Sequence, residues 1–186
     1  MKLVVAISGA SGAPYAKRLL EVLAAAEGVE VDVVFTATGK QVWMQEIGAE
    51  PEVPFKVWKN QDFTAPFASG SARYDAMAVV PCSAGCLSRI AYGVSLDLVG
   101  RAADVMLKEK RRLVLCLRET PLSLVHARAL TAAVEAGAIV MPASPSFYSR
   151  PRTLEALVDT VVARVLDRLG VPNELMPRWQ GLTGDE

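Results

Sequence analysis

The sequence is poor in the residues that build metal sites and disulfide frameworks. Among its 186 residues there are one histidine and three cysteines. A single histidine excludes a histidine-based metal cluster, and Cys82 and Cys86 have no second cysteine pair to complete a zinc site. Disulfide frameworks are denser in cysteine and usually even in number, so we expect reduced thiols and no metal. The histidine, His126, lies in a predicted apolar helix, which favours a structural role over a place in a catalytic triad.

The sequence also lacks an excess of charge of one sign and any long hydrophobic run. Lysine plus arginine and aspartate plus glutamate number 20 each, which removes the overall positive charge typical of nucleic-acid-binding proteins. No stretch approaches the roughly 20 continuous apolar residues of a membrane span, and the apolar run after Met1 is too short for a secretory signal. We therefore expect a cytoplasmic protein with no nucleic-acid or membrane partner.

What the sequence does contain is a regular alternation of short apolar runs and amphipathic segments. With 52% hydrophobic residues, a chain of this length can bury one sizeable core, which predicts a single domain over residues 1–186. The apolar runs predict strands at residues 3–7, 29–35, 55–58, 76–80, 113–117 and 138–141. This alternation predicts a three-layer α/β/α Rossmann-like sandwich whose mostly parallel six-stranded sheet has the order 3-2-1-4-5-6.

Two loops of small residues follow the first and fourth predicted strands. Ser8–Ala13 leads into a helix, and Pro81–Gly85 is predicted as a tight turn before a helix that begins at Cys86. On the predicted strand order these loops face each other at the switch point, where open α/β sheets bind ligands. The Gly-Ala-Ser-Gly run in the first loop is neither a dinucleotide fingerprint nor a P-loop. Its backbone N–H groups could hold a phosphate, or its small residues could simply let helix and strand pack.

Charged residues beside buried segments are the candidates for chemistry. Arg101 and Lys108 lie seven residues apart on one face of a predicted helix over residues 101–112, and Arg118 follows the fifth strand. Guanidinium groups match the oxygens of a phosphate, although the last cations of this helix are better explained as a solvated helix end. Glu46 and Glu119 are acid–base candidates, for which an exposed or salt-bridged carboxylate is the alternative.

Seven motifs, in register along nearly the whole chain, resemble the UbiX-type flavin prenyltransferases. They are Ser8–Ala13, Ala68–Ser71, Pro81–Ser83, Arg101–Val105 with Leu107–Glu109, Arg118–Pro121, Phe147–Tyr148 and Pro177–Trp179. The resemblance implies a Rossmann-like flavoprotein that binds FMN and forms a homo-oligomer, a dodecamer with active sites at subunit contacts. It implies metal-independent transfer of a dimethylallyl group from dimethylallyl monophosphate to N5 and C6 of reduced FMN. The product, prenylated FMN, would serve UbiD-type decarboxylases.

The resemblance also implies site residues, position by position. The flavin contacts would be Gly9, Ala10, Ser11, Thr36, Ser83, Ala84, Gly85, Cys86 and Arg118. The contacts to the substrate phosphate would be Arg101, Lys108, Arg118, Tyr148 and Arg164. The residues around the reacting centre would be Ser11, Glu46, Glu119 and Trp179. The C-terminal tail, residues 170–186, would pack at the active site or at a subunit interface.

The chain departs from the family pattern at a few positions. Cys86 stands where a threonine is common, Ala16 where glycine is usual, Ser95–Leu98 where an Asp-Asn-Leu sequence is usual, and Ser149 where histidine often follows the tyrosine. These departures leave every charged catalytic position in place. Because a thiol donates only weakly, we expect a weaker flavin hydrogen bond at Cys86.

Two other functions are compatible with a flavin site. An FMN-dependent cysteine decarboxylase would share the fold, but its signature motifs are absent from this sequence. A non-catalytic flavin carrier would need the flavin site alone, whereas prenyl transfer also needs cations for the phosphate. The residues that discriminate are Arg101, Lys108, Tyr148 and Arg164.

Overall fold

All strands of the central sheet run in the same direction. The computed structural model describes residues 1–179 and 181, and within them six strands pair in parallel in the order 3-2-1-4-5-6. The strands are β1 (Lys2–Ile7), β2 (Glu30–Phe35), β3 (Lys56–Lys59), β4 (Ala76–Cys82), β5 (Arg112–Leu117) and β6 (Ile139–Pro142). The predicted fold class and strand order are therefore confirmed.

Helices cover both faces of this sheet and enclose two separate apolar cores. Within the described residues the helices are α1 (Ala13–Ala25), α2 (Ala37–Ile47), α3 (Ala84–Ala91), α4 (Leu98–Lys108), α5 (Leu124–Glu135) and α6 (Leu154–Leu169). Side chains of α1, α2 and α6 pack on one face, and those of α3, α4 and α5 pack on the other. In β1, Leu3, Val5 and Ile7 join the first core while Val4 and Ala6 join the second. A strand buried on both faces explains the continuous apolar run.

A polar side chain caps the start of three helices, and two of these, α3 and α4, begin earlier than predicted. Thr36, Ser83 and Asp97 each accept a hydrogen bond from the backbone N–H three residues later, at 2.9, 3.2 and 2.8 Å. Ala84 and Gly85 therefore lie in the first turn of α3, and the prediction of a tight turn there was wrong. The predicted helix over residues 101–112 was also misplaced, since α4 spans Leu98–Lys108 and is followed directly by β5.

The single histidine, His126, helps to cap the N-terminus of α5. Ser123 accepts from the His126 N–H, and the His126 ring accepts from the Ser123 N–H, both at 3.3 Å, which makes a reciprocal cap. This is the structural role that was predicted. The helix around it is less buried than expected, however, because Leu124 and Val125 are both exposed.

No helix within the described part of the chain is long and apolar enough to cross a membrane.

Candidate active site

The loops after β1 and β4 meet at the carboxyl edge of the sheet, where the strand order reverses. Ser8 joins them, because its Oγ donates to the Pro81 carbonyl oxygen at 2.9 Å and accepts from the Ser83 N–H at 2.8 Å. The prediction that these loops face each other is confirmed. Sequence reasoning did not single out Ser8 itself, which is 2% exposed. A hydroxyl placed directly after a buried strand was the signal that could have identified it.

Glu46 projects from α2 onto the start of α1. Its Oε2 accepts from the Gly12 N–H at 2.9 Å and from the Ala13 N–H at 2.8 Å. Burial opposes ionisation of this carboxyl, but hydrogen bonds from the Ser11 side chain and the two N–H groups, with the charge of Arg118, lower the pKa of Glu46 below its ordinary value. The structure thus brings together three predicted site residues, Ser11, Glu46 and Arg118.

This contact uses two of the N–H groups that the first loop could have offered to a phosphate. The N–H groups that begin a helix attract anions, and here the Glu46 carboxylate already occupies those of Gly12 and Ala13. Gly12 adopts a φ of 124°, a conformation that favours glycine. The glycine therefore serves the loop geometry that presents the two N–H groups to a carboxylate of the protein itself.

The start of α2 lies close against the loop after β1. A Cβ atom on Gly9 would overlap the Thr38 side chain, and one on Gly39 would overlap the Ile7 carbonyl oxygen. Thr36, assigned to the flavin, is buried and uses its Oγ1 to cap α2. Gly9 was assigned to the flavin on resemblance alone, and the structure adds a packing reason for it.

The start of α3 forms the opposite wall. β4 continues to Cys82, two residues beyond the predicted end, so Ser83 becomes the cap and Ala84, Gly85 and Cys86 form the first helical turn. The Cys86 side chain is 3% exposed, and its backbone N–H already donates to Ser83. A hydrogen bond with Cys86 and complete burial raise the pKa of the Cys82 thiol. Both thiols therefore face the protein interior.

Arg118 and Glu119 follow β5 at the same edge. The Arg118 N–H donates to the Cys82 carbonyl oxygen at 2.9 Å, which ties the end of β5 to the end of β4. The positive charge of Arg118 favours lower pKa values for both Tyr15 and Glu46. At Tyr15 burial has the larger effect, so the pKa of that phenol is raised. Glu119 is exposed, and it accepts from the next N–H along the chain at 3.1 Å.

A shallow cavity of about 290 Å³ adjoins Ser11 and Glu46. Its walls come from the start of α1, including Tyr15, and from Leu154 and Val158 of α6. Tyr15 was not singled out by sequence reasoning. Its position one turn into the helix that follows the glycine loop was the available signal.

Within one chain, the residues assigned to the substrate phosphate are not brought together. Arg101 and Lys108 lie on α4, on one face of the sheet, whereas Arg164 lies on α6, on the other face. Arg118 is at the carboxyl edge, and Tyr148 is in the segment between β6 and α6. A single subunit therefore divides the proposed phosphate contacts into separate groups.

The α4 group is organised around the turn that precedes β4. Arg101 Nε donates to the Ala68 carbonyl oxygen at 3.0 Å, and Arg111 donates to that of Gly70 at 2.6 Å. The Glu109 carboxylate packs so closely on Gly70 that a Cβ atom there would overlap it. Glu109 also pairs with Lys108 Nζ at 2.7 Å. Arg101 of α4 and Arg111, which follows α4, thus hold this turn in place.

Two serine hydroxyls in the same turn were not among the predicted site residues. Ser69 and Ser71 are exposed, and their Oγ atoms lie 3.1 Å apart. They flank Gly70, which contacts Glu109, the partner of Lys108. Their position in a motif that carries the family resemblance was the signal that could have singled them out.

The α6 group includes an aromatic pair between the segment before α6 and the C-terminal tail. The Tyr148 and Trp179 rings meet edge to face, with centroids 5.5 Å apart, and are 49% and 60% exposed. Arg164 lies 3.7 Å from the Asp167 carboxylate. Of the predicted tail, residues 180 and 182–186 lie outside the described residues. Its packing at an active site or subunit interface stays a prediction.

Among the described residues, no group of three or more histidine, cysteine, aspartate or glutamate side chains is placed to hold a metal ion.

Comparison with known proteins identifies the family. The sequence model of a family described as Flavoprotein matches residues 1–166. The flavin prenyltransferase UbiX of Methanocaldococcus jannaschii is 42% identical over 183 residues, which cover 96% of this chain and 98% of the relative. The chain belongs to the UbiX family of flavin prenyltransferases. This confirms the enzyme class that the motifs implied and sets aside the cysteine decarboxylase and carrier alternatives.

Two solved structures resemble this flavin prenyltransferase over nearly its whole length. A dodecameric FMN-dependent UbiX-like decarboxylase from Escherichia coli O157:H7 has a TM-score of 0.91 at 40% identity, covering 97% of this chain and 100% of that one. AnUbiX (PadA1), in complex with FMN and dimethylallyl pyrophosphate, has a TM-score of 0.92 at 39% identity, covering 97% of each chain.

Proposed function

We propose that this flavin prenyltransferase binds FMN between the loops after β1 and β4 and transfers a dimethylallyl group to it from dimethylallyl monophosphate. The observation that carries the proposal is the meeting of Ser11, ionised Glu46 and Arg118 at the edge where the strand order reverses. The AnUbiX structure, which holds FMN and dimethylallyl pyrophosphate, supports FMN and a phosphorylated dimethylallyl donor as the ligands.

The residues at this edge fit a flavin. The proposed contacts in the loop after β1 and at the start of α3 are all no larger than cysteine, so the backbone can approach a planar ring. They are Gly9, Ala10, Ser11, Ser83, Ala84, Gly85 and Cys86. Thr36 and Arg118 complete the proposed set. When bound, reduced FMN supplies the N5 and C6 atoms that receive the dimethylallyl group.

Ser11 and Glu46 are suited to moving a proton at the reacting centre. The pKa of the Glu46 carboxyl is lowered, its Oε2 accepts from the Gly12 and Ala13 N–H groups, and the Ser11 side chain lines the same cavity. The carboxylate can therefore accept a proton that the Ser11 hydroxyl relays from the flavin. Glu119, exposed beside Arg118, is free to act as a second acid–base group toward the departing phosphate.

The split arrangement of the phosphate contacts supports an active site shared between subunits. Arg101 and Lys108 are separated from Arg164 by the sheet, so they can surround one phosphate only if different subunits contribute them. We therefore place the complete site at contacts within a homo-oligomer, and the dodecameric relative supports this assembly. Tyr148 would donate a hydrogen bond to the same phosphate.

Cations of the protein would stabilise the leaving phosphate without a metal. Preorganised positive charges stabilise negative charge that develops in a transition state, and arginine matches phosphate oxygens with paired donors. Arg101, Lys108, Arg118 and Arg164 are suited to this role. We further propose that the enzyme acts in the cytoplasm and passes prenylated FMN to a UbiD-type decarboxylase.

The test is an anaerobic incubation of the protein with reduced FMN and dimethylallyl monophosphate, with and without EDTA. Mass spectrometry of the extracted flavin should show one added dimethylallyl group in both reactions. Unchanged FMN would contradict prenyl transfer, and product formation that stops with EDTA would contradict the metal-free mechanism. Ser11→Phe and Ser83→Phe should yield protein without yellow flavin. A folded variant that keeps its FMN would contradict the proposed flavin site.

A further inference from the structure

A single carboxylate fastens the C-terminal segment to α6. Asp167 accepts two hydrogen bonds from the Arg178 guanidinium, at 2.7 and 2.9 Å, and a third from the Asn173 side chain at 3.1 Å. Arg178 also donates to the Asn173 carbonyl oxygen at 3.0 Å. Paired bonds of this kind fix orientation as well as distance. A side chain in the last turn of a long helix therefore holds a segment that has no regular secondary structure.

This ion pair is more shielded than most surface pairs of the molecule. The Asp167 side chain is 20% exposed and the Arg178 side chain 50% exposed. Hydrogen bonding from Arg178 holds the pKa of the Asp167 carboxyl below its ordinary value, so the group is ionised at neutral pH. Bidentate geometry and a partly buried acceptor are the conditions under which an ion pair contributes measurably.

The same carboxylate adjoins two residues to which the proposed function gives roles. Trp179 follows Arg178 directly, and its ring packs on Tyr148. Arg164 lies three residues before Asp167 on α6, with its Nε 3.7 Å from the carboxylate. Because Arg178 takes both oxygens at hydrogen-bond distance, Arg164 is left only loosely paired and can turn to a phosphate.

We propose that Asp167 is a positioning residue for prenyl transfer. By binding Arg178 it holds Trp179 against Tyr148, and because Arg178 saturates it, Asp167 does not capture Arg164. Asp167 itself need not contact FMN or the dimethylallyl donor. The inference rests on the proposed function, since it assigns no new chemistry and explains how residues of the reacting centre and the phosphate site are held.

We expect substitutions of Asp167 and of Arg178 to have different kinetic effects. Asp167→Asn releases the tail but leaves Arg164 free, so the single-turnover rate at saturating dimethylallyl monophosphate should fall about 10- to 100-fold, the effect of losing a charged hydrogen-bonded pair. Its half-saturating donor concentration should stay within about twofold of wild type. Arg178→Gln releases the tail and also lets Asp167 capture Arg164. The rate should fall similarly, and the half-saturating concentration should rise severalfold.

Asp159→Asn is the matched control. Asp159 lies on the same helix and accepts from Arg18 at 2.6 and 3.2 Å, and within the described residues that pair makes no hydrogen bond to the tail. A readout independent of turnover is trypsin cleavage after Arg178, followed by mass spectrometry of the released peptide. Cleavage should be faster in Asp167→Asn than in wild type or Asp159→Asn, and Asp167→Glu should restore both protection and rate. FMN retention should be the same in all variants.

The outcomes separate this inference from the proposed function. If wild type forms no prenylated flavin, the proposed function fails, and tail cleavage at the wild-type rate in Asp167→Asn would in addition overturn the fastening role. If wild type is active, an Asp167→Asn rate within about twofold of wild type, or slow turnover without faster cleavage, overturns the positioning role. An unchanged half-saturating concentration in Arg178→Gln overturns the release of Arg164. Arg178 is half exposed, so its variant remains usable if Asp167→Asn does not fold.

Discussion

The Glu46 carboxylate of α2 caps the first turn of α1, with its Oε2 2.8 Å from the Ala13 nitrogen. A helix N-terminus carries a partial positive charge, and this one is matched by a carboxylate of the protein. The pairing keeps an ionised group beside the Ser11 hydroxyl at the switch point. The acid–base candidate and the loop that supports it are therefore one structural unit.

Replacing that carboxylate should slow transfer without removing the flavin. Glu46→Gln keeps the shape of the side chain but loses its basicity, so the single-turnover rate should fall by about 10² to 10⁴, the usual contribution of a general base. Anaerobic absorbance of reduced FMN with dimethylallyl monophosphate measures the rate. Glu50→Gln is the control, because Glu50 forms an exposed ion pair with Lys40. A Glu46→Gln rate equal to that of the control would remove Glu46 from the mechanism.

Glu46→Gln should also make the thermal stability of the protein less sensitive to acid. The folded pKa of Glu46 is lowered, so its contribution to stability is complete above the ordinary glutamate pKa of about 4.3 and is lost as pH falls through the lower folded value. Between pH 7 and pH 3, wild type should therefore lose more thermal stability than Glu46→Gln. Melting curves at intervals of pH measure this difference. Parallel loss in the two proteins would contradict a lowered pKa.

Removing one cation of the proposed phosphate site should slow prenyl transfer and leave FMN binding unchanged. Lys108→Ala and Arg164→Ala should each lower the transfer rate by about 10² to 10³, because each removes a preorganised charge from the leaving group. Lys110→Ala, at an exposed residue just after α4, is the control for Lys108→Ala. Arg168→Ala, at an exposed residue of α6, is the control for Arg164→Ala. Flavin absorbance of the purified proteins checks retention of FMN. Variants as fast as their controls would exclude these cations from the site.

Mixing those two inactive variants tests whether subunits share a site. Lys108 and Arg164 lie on opposite faces of the sheet, so a shared site would draw them from different chains. Oligomers assembled from both variants, by co-expression or by unfolding and refolding together, should recover measurable turnover. Mixtures that assemble but stay as inactive as either variant alone would show that one chain supplies both.

The acidic residue that anchors the edge strand should matter for stability rather than for catalysis. Asp32 in β2 accepts from Trp58 Nε1 at 2.6 Å and from the Tyr74 hydroxyl. Asp32→Asn should lower the free energy of unfolding by about 1.5–3 kcal/mol, the range for a hydrogen bond to a charged group. Thermal melting should register a drop of roughly 2–4 °C for each kcal/mol. Glu27→Gln, at an exposed residue between α1 and β2, is the control, and equal melting temperatures for the two variants would contradict the anchoring role.

Much of the fold could be predicted from the sequence because the determining signals are local. Continuous apolar runs marked the buried strands β1, β4 and β5, and the alternation of strand and helix required parallel strands with crossovers. The ends of elements were less accurate. Ser83 and Asp97 moved the starts of α3 and α4 to earlier residues through caps whose side chains could equally have hydrogen-bonded in turns.

The candidate site was predictable only in its parts. The motifs identified Ser11 and Arg118, and Glu46 was an acid–base candidate. Nothing in their spacing shows that Glu46 reaches across to two N–H groups of α1. Ser8 and Asp167 were missed because each acts on a segment distant in sequence or without periodicity. Such contacts depend on how helices and loops pack over the sheet, which pattern reasoning does not encode.

The sequence by itself determined the elements, their parallel arrangement and the family. Only the tertiary structure decided that the sheet separates Lys108 from Arg164 and that one carboxylate holds the tail beside Tyr148. The physical reason is the range of the interactions. Hydrophobic periodicity acts within a few residues along the chain, whereas the separation of two helices by a sheet and the meeting of distant side chains exist only once the layers have packed.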